Sequence, residues 1–386
     1  MAKPKTAGQA PQNPRMNPGS AQKSSRSTAG ADATAVQQQQ QVAARYALRG
    51  ALAAALAGAL LSFTLNWGRS PVPLVGDWRA FGILAALLGA LSATVAAAVA
   101  YIVGMRFRNT QMPPNRRHNY WLSLAPVALG TGVQILLAAG VGIVFASVIF
   151  KELALINGIA SVIVGAICAV IVFSVMGRFL LANERSVLLT LALLLVLGIV
   201  VAAANEQNPK WWEESFSYLG TAASNTNLLF NISFVLTGLL IVVWQQFYLE
   251  NITTLVERGI VKPRVHTIFR YGLIVVGLFV MLIGILHWGA SPLISAVHDI
   301  AAYTAGGLIT LAMLAIRWLI PRMPNELYVA TYVLAAVMIG AVIMLFFGLF
   351  NTVGVELVYF TTAGAWFVLL MESTEMLVAA TAPATR

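Results

Sequence analysis

Apolar residues run through this chain in unbroken stretches of about twenty, separated by short polar breaks, rather than alternating with polar ones. A continuous run of that length crosses roughly 30 Å of hydrocarbon as a helix. An alternating pattern would instead indicate the strands of a membrane barrel. Such runs predict spans at roughly 47–67, 80–105, 120–149, 153–177 and 186–204. Five more follow at roughly 227–248, 270–288, 294–316, 328–350 and 356–379. The expected fold class is therefore all-α, a polytopic transmembrane helix bundle of about ten spans.

Charge tests this map. With the N-terminus inside, the segments assigned to the cytoplasmic side hold 20 of the 24 basic residues, leaving only Arg69, Arg79, Lys151 and Lys210 outside. A missed or invented span would reverse every later loop and erase the asymmetry. Ten spans with both termini inside, N-in and C-in, is the topology that keeps it. The net charge of +10 then follows from topology, and the basic residues sit in short loops without interleaved aromatics. No nucleic-acid partner is expected. Composition agrees, at 59% hydrophobic and 10% charged, where soluble domains run near a quarter charged.

The chain divides into a tail, 1–44, an N-terminal four-span unit, 45–182, and a C-terminal six-span unit, 183–386. The tail is rich in Pro, Gln, Ser, Ala and Gly and ends in Gln37–Gln41, so it is expected to be disordered, basic and cytoplasmic. Lys3, Lys5, Arg15, Lys23 and Arg26 set orientation there and could touch anionic headgroups. The absence of an organellar or secretory signal and the short loops suggest a bacterial plasma membrane. Trp67, Trp78, Trp211, Trp212 and Trp288 fall at outer boundaries, and Trp121, Trp244 and Trp318 near inner ones, as expected of interfacial anchors.

Parts of the chain echo one another. Phe81-Gly82-Ile83 leading to Gly89 matches Phe230-Asn231-Ile232 leading to Gly238. Asn157-Gly158-Ile159-Ala160 matches His298-Asp299-Ile300-Ala301, and Asn183-Glu184 matches Asn325-Glu326. The offsets cluster near 141–149 residues and suggest a four-helix tandem repeat, a layout transporters use around a site between repeats.

Ionisable residues inside a bilayer carry a functional hypothesis by default. Glu372 and Glu375 share one face of the last span, and read either as a proton- or cation-coupling pair or as the wetted end of a short helix. A second group gathers near the outer face: Ser217, Asn231, His298 and Asp299. Ser, His and Asp are the parts of a hydrolytic triad or a metal site, and equally of helix caps and interhelical bonds. No metal-binding or nucleophile-elbow motif accompanies them, and the single Cys168 excludes intrachain disulfides, cysteine-rich metal sites and iron–sulfur clusters. His287 and His298 share a hairpin rather than facing helices, which argues against haem. No phosphate loop or dinucleotide fingerprint occurs, so no cofactor is expected.

Ser217-Tyr218-Leu219-Gly220-Thr221, followed by Leu229-Phe230-Asn231 running into Gly238, is similar to a pattern of the DRAM-type six-span membrane proteins. That family includes a GPI-lipid-remodelling factor and prokaryotic relatives of unknown function. It shows a Ser-x-x-Gly before a Phe- or Asn-led span and a histidine opening its fourth span, here His298. The resemblance covers about residue 185 onward. It implies a helical bundle with a polar cluster at the outer leaflet and membrane lipids as partners, without a defined reaction.

Three functions remain open on the sequence. One is a lipid-associated protein that binds, remodels or distributes an envelope lipid. The others are a proton-coupled secondary transporter and a membrane scaffold or assembly partner. Without a nucleophile–base motif the residues lean away from an enzyme.

Overall fold

A computed structural model describes the backbone of residues 18–111 and 120–382, and side chains from Gln40 onward except Phe107 and residues 109–120. The tail residues Lys3, Lys5, Arg15, Lys23 and Arg26, and the loop arginines Arg116 and Arg117, lie outside the described residues or side chains. Among the described residues ten helices carry the fold: α1 Pro18–Leu65, α2 Phe81–Gln111, α3 Tyr120–Ile149, α4 Asn157–Leu180, α5 Glu184–Asn205, α6 Asn227–Glu257, α7 Pro263–Ile285, α8 Pro292–Leu319, α9 Asn325–Phe346 and α10 Thr352–Ala380. Each contains a segment long and apolar enough to cross a membrane, so the chain is a multi-pass membrane protein. A two-residue strand pair joins Val72–Pro73 to Ala154–Leu155, antiparallel, where α1 meets α2 and α3 meets α4.

Helix starts follow side-chain chemistry. Asn183, Ser291 and Asn351 each accept a bond from the backbone N–H three residues on, capping α5, α8 and α10. Pro263 and Pro292 occupy the first turns of α7 and α8, where no N–H is needed. Several hydroxyls inside the apolar runs bond back one turn, as Thr131 does to Val127 and Thr374 to Leu370, which satisfies them without water.

Several elements outrun the expected ends, α1 and α6 by the most. α1 is helical from Pro18, inside the segment whose composition suggests disorder. It contains no proline beyond its first residue, and extending a helix costs far less than nucleating one. α6 continues to Glu257, past the apolar run, on residues bonded to the rest of the bundle.

Small residues set the helix contacts, as expected where hydrocarbon surrounds the bundle. A Cβ on Gly165 in α4 would lie 2.5 Å from the Ala55 carbonyl oxygen of α1, and Gly58 faces Cys168 across the same crossing. α6 and α7 approach at Gly238, Gly277 and Gly284. The tandem echo is kept only in part. α6 packs closely on α7 as α2 does on α3, but the close packing of α2 against α4 has no comparable counterpart between α6 and α8.

Trp67, Trp78, Trp121, Trp212 and Trp318 are exposed, fitting an anchoring role. Trp244 is the departure. It is 1% exposed, stacked on Tyr248 at 5.0 Å and edge-on to Phe367, so it belongs to the core. A recess of about 340 Å³ opens between α7, α8 and α10 and is almost wholly apolar, lined by residues including Phe269, Leu273, Leu308, Ala312, Trp366 and Leu370.

Candidate functional site

The segment between α5 and α6 is folded rather than loose. It contains two short 3-10 turns, Trp211–Glu213 and Phe216–Gly220. In a 3-10 turn, residues three apart eclipse one another. Phe216 and Leu219 accordingly enter one apolar cluster with Phe230, Phe234, Ile283 and Ala301, and Ser217 points elsewhere. Asn231, buried one turn inside α6, donates from Nδ2 to the Gly220 carbonyl at 3.0 Å. Asn351 donates to the Trp212 carbonyl at 2.8 Å and ties the segment to α10.

Ser217 meets His298 of α8, with Oγ and Nε2 2.8 Å apart. His298 is 2% exposed, and its Nδ1 lies 2.7 Å from the carbonyl oxygen of Leu286, which caps α7. A carbonyl only accepts, so Nδ1 carries the proton. In the neutral ring Nε2 is then the acceptor, and the Ser217 hydroxyl donates to it. Both ring nitrogens are thus occupied, and Asp299 cannot be the third member of a triad. The Leu286 carbonyl holds the place that the sequence pattern gives to Asp299. Asp299 is half-buried, and its charge acts on both His298 and Glu356.

Glu356, on α10, is the member that sequence reasoning missed. Its Oε2 accepts from the Phe216 backbone N–H at 2.7 Å, immediately beside Ser217. The signal was there: a carboxylate in the first turns of the last span, well apart from Glu372 and Glu375. Of the four sequence candidates, Ser217 and His298 are in direct contact, Asn231 supports the turn that carries Ser217, and Asp299 is an electrostatic neighbour. His287 is exposed and stays outside the site, to which its neighbour Leu286 supplies a carbonyl. Among the described residues no three His, Cys, Asp or Glu side chains are arranged to hold a metal ion.

Glu206 fastens the entry of the segment. It accepts from the Asn208 N–H at 3.0 Å and from the Ser224 hydroxyl. Partial burial works against its charge, but the donors of Asn208, Ser224 and Gln207 outweigh that and hold the carboxyl below its ordinary 4.5. A depressed folded-state value stabilises above the unfolded value and is lost as pH falls through the folded one. Acidification below about pH 4.5 should therefore loosen the segment, seen as a shift in Trp211 and Trp212 fluorescence. Glu206→Gln should abolish that pH-dependent step.

At the opposite end of the bundle, Glu372 and Glu375 part company. Glu372 forms an ion pair with Arg185 of α5. Glu375 instead lies beside Glu184, the first residue of α5, which is 6% exposed and accepts from Asn251 Nδ2 at 2.5 Å. The carboxyl pair is therefore Glu184 with Glu375, from two helices, and not the two glutamates spaced along α10. Arg108 of α2 lies alongside, ion-paired with Glu250 and donating to the Ala182 carbonyl at 2.9 Å.

Comparison of the chain with protein-family models, with curated proteins and with solved structures finds no significant match.

Proposed function

We propose that this membrane protein binds and remodels an envelope lipid at the end of the bundle that carries Ser217 and His298. The positive-inside bias supports placing that end at the outer leaflet, in the bacterial plasma membrane that the short loops suggest. The observation that carries the reading is the Ser217–His298 hydrogen bond, made in the boundary layer between an apolar bundle and its polar cap. Ser217 and Asp299 stay half-exposed, and α8 turns Leu293, Ile300 and Tyr303 outward beside them. A lipid headgroup approaching laterally meets polar groups of both kinds: hydroxyl and imidazole, and two carboxylates suited to an amine or hydroxyl. The apolar recess begins at Leu308, about 15 Å along α8 from His298 at 1.5 Å per residue, within reach of an acyl chain. The likeness of Ser217-Tyr218-Leu219-Gly220 to the DRAM-type pattern points the same way.

Photo-cross-linking tests it. In nanodiscs containing a phospholipid with a headgroup diazirine, cross-links should concentrate on 211–226 and 287–303. Asn231→Ala, which frees the Gly220 carbonyl, should reduce them severalfold. Cross-links spread evenly over the exposed faces of α1, α3 and α9 would count against a site.

One observation favours a second reading, proton-coupled transport: the carboxyl pair of Glu184 and Glu375. Under it, Glu375→Gln would abolish proton uptake driven by a substrate gradient in proteoliposomes. Unchanged lipid cross-linking with no proton flux in the wild type removes it.

A further inference from the structure

We propose that Ser217 is a nucleophile that accepts the acyl group of an ester-linked membrane lipid, with His298 as its general base. The inference deepens the lipid reading above and rests on it.

A serine hydroxyl is a poor nucleophile until a base is positioned to take its proton. Here the base is within hydrogen-bond reach at 2.8 Å, and its tautomer is set by the 2.7 Å bond from Nδ1 to Leu286. A base that is itself oriented by a third group is the logic of the hydrolytic triads. A backbone carbonyl can fill that third role. It holds the ring in place and accepts the Nδ1 proton more strongly once the ring is cationic. The nucleophile is held as firmly. Its turn is anchored on one side by Phe216 and Leu219 in the apolar cluster, with the Phe216 N–H bonded to Glu356, and on the other by Asn231 at Gly220. Helix capping alone needs none of this. The start of α8 is already capped by Ser291, seven residues before His298.

The step balances. Ser217 Oγ forms a bond to the ester carbonyl carbon as its proton passes to His298 Nε2. Collapse breaks the bond from that carbon to the alcohol oxygen of the lipid, and the alcohol leaves with the proton from Nε2. Water or a second lipid hydroxyl then attacks the acyl-serine, with Nε2 again taking and returning one proton. No oxidant or metal ion enters. The half-exposure of Ser217 against the full burial of His298 suits a nucleophile that meets substrate and a base shielded from water.

The test uses the full chain in nanodiscs and a fluorophosphonate probe, with the labelled residue read by tandem mass spectrometry. Ser217 should be phosphonylated, Ser217→Ala should lose the label, and His298→Gln should slow labelling about 100-fold or more. Should His298→Gln fail to fold, Ser217→Cys supplies a second reading: a base beside the thiol should keep its alkylation fast well below the ordinary thiol range of pH, whereas an unassisted thiol should lose its rate about tenfold per pH unit there. Incubation with diacyl phospholipid should add one acyl mass to the wild-type Ser217 peptide. A folded wild type with Ser217 inert to probe and lipid overturns the nucleophile. Headgroup cross-linking at 211–226 that persists alongside that inertness leaves the lipid site standing, whereas its loss as well brings down both.

Discussion

Replacing Gly238 by valine should prevent α6 and α7 from packing and leave no folded, monodisperse protein after extraction. A Cβ at that position would overlap the Gly277 carbonyl oxygen and lie 2.5 Å from the Met281 backbone nitrogen. Neither atom belongs to a side chain that could rotate away, so the whole helix must shift. Gly284 is caught in the same crossing, with its Cβ position 2.5 Å from the Asn231 carbonyl oxygen and 2.8 Å from the Val235 nitrogen. The cost should reach or exceed the upper end of ordinary overpacking, about 3 kcal/mol. Separation here would also move Asn231 and Leu286, and with them both supports of the Ser217–His298 contact. Gly272, on the same helix α7, has nothing within 4 Å of its Cβ position. Gly272→Ala should be neutral or slightly stabilising, by up to about 1 kcal/mol from helix propensity. Thermal melting of detergent-solubilised protein distinguishes the two: loss of the folded species for Gly238→Val, an unchanged or higher Tm for Gly272→Ala.

The second large effect is expected at Arg108. This side chain leaves α2, pairs with Glu250 of α6, donates to the Ala182 carbonyl and stacks over Phe247 at 5.2 Å. It therefore links the four-span and six-span parts of the chain near Glu184 and Glu375. Its side chain is 26% exposed and that of Glu250 is 23%, so both charges are largely removed from water. Truncating one partner of such a pair leaves the other's charge poorly compensated, at a cost of about 3–5 kcal/mol. Arg108→Ala should lie at the lower end, because some solvent remains. The double variant Arg108→Ala/Glu250→Gln should cost clearly less than the sum of the two single ones, since the stranded charge is gone. Strict additivity in that cycle would show that the pair is a surface contact. The ion pair of Arg69 and Asp77, in the loop between α1 and α2, is the contrast. It is more exposed, and breaking it should leave the melting temperature unchanged.

Much of the scaffold could be read from hydropathy alone, because in hydrocarbon the backbone has so few alternatives to a helix. Every expected span overlaps an observed helix, and the errors fall at the ends. α7 starts at Pro263, ahead of the apolar run, and its helix runs through Arg264, His266 and Arg270. Hydropathy could not see this, because it reports the lipid depth of a residue and not its backbone state. Trp244 misled for a related reason: its distance along the span suits an anchor, but the face it occupies points into the bundle.

The candidate site was legible in its residues and illegible in its wiring. Ser217, Asn231 and His298 stood out because polar groups at membrane depth are rare, and three spans of the right direction bring them to one end. The roles depended on facts with no sequence signature. The Leu286 carbonyl is free to orient His298 only because α7 ends there, and any residue at that position would supply it. Asp299 looked like the orienting carboxylate because it adjoins His298 in sequence, yet neighbours along a helix point about 100° apart. At the other end, spacing made Glu372 and Glu375 a pair. Three-dimensional packing gave each a partner on α5 instead, Arg185 and Glu184.

The most direct test of the account is a high-resolution structure of the full chain in a lipid nanodisc, read at Ser217 and His298. Oγ and Nε2 should lie within hydrogen-bonding distance, with Nδ1 on the Leu286 carbonyl and a lipid headgroup beside Ser217 and Asp299. A His298 ring turned away from Ser217, with the space between them filled by aliphatic side chains and lipid only in the surrounding annulus, would contradict it.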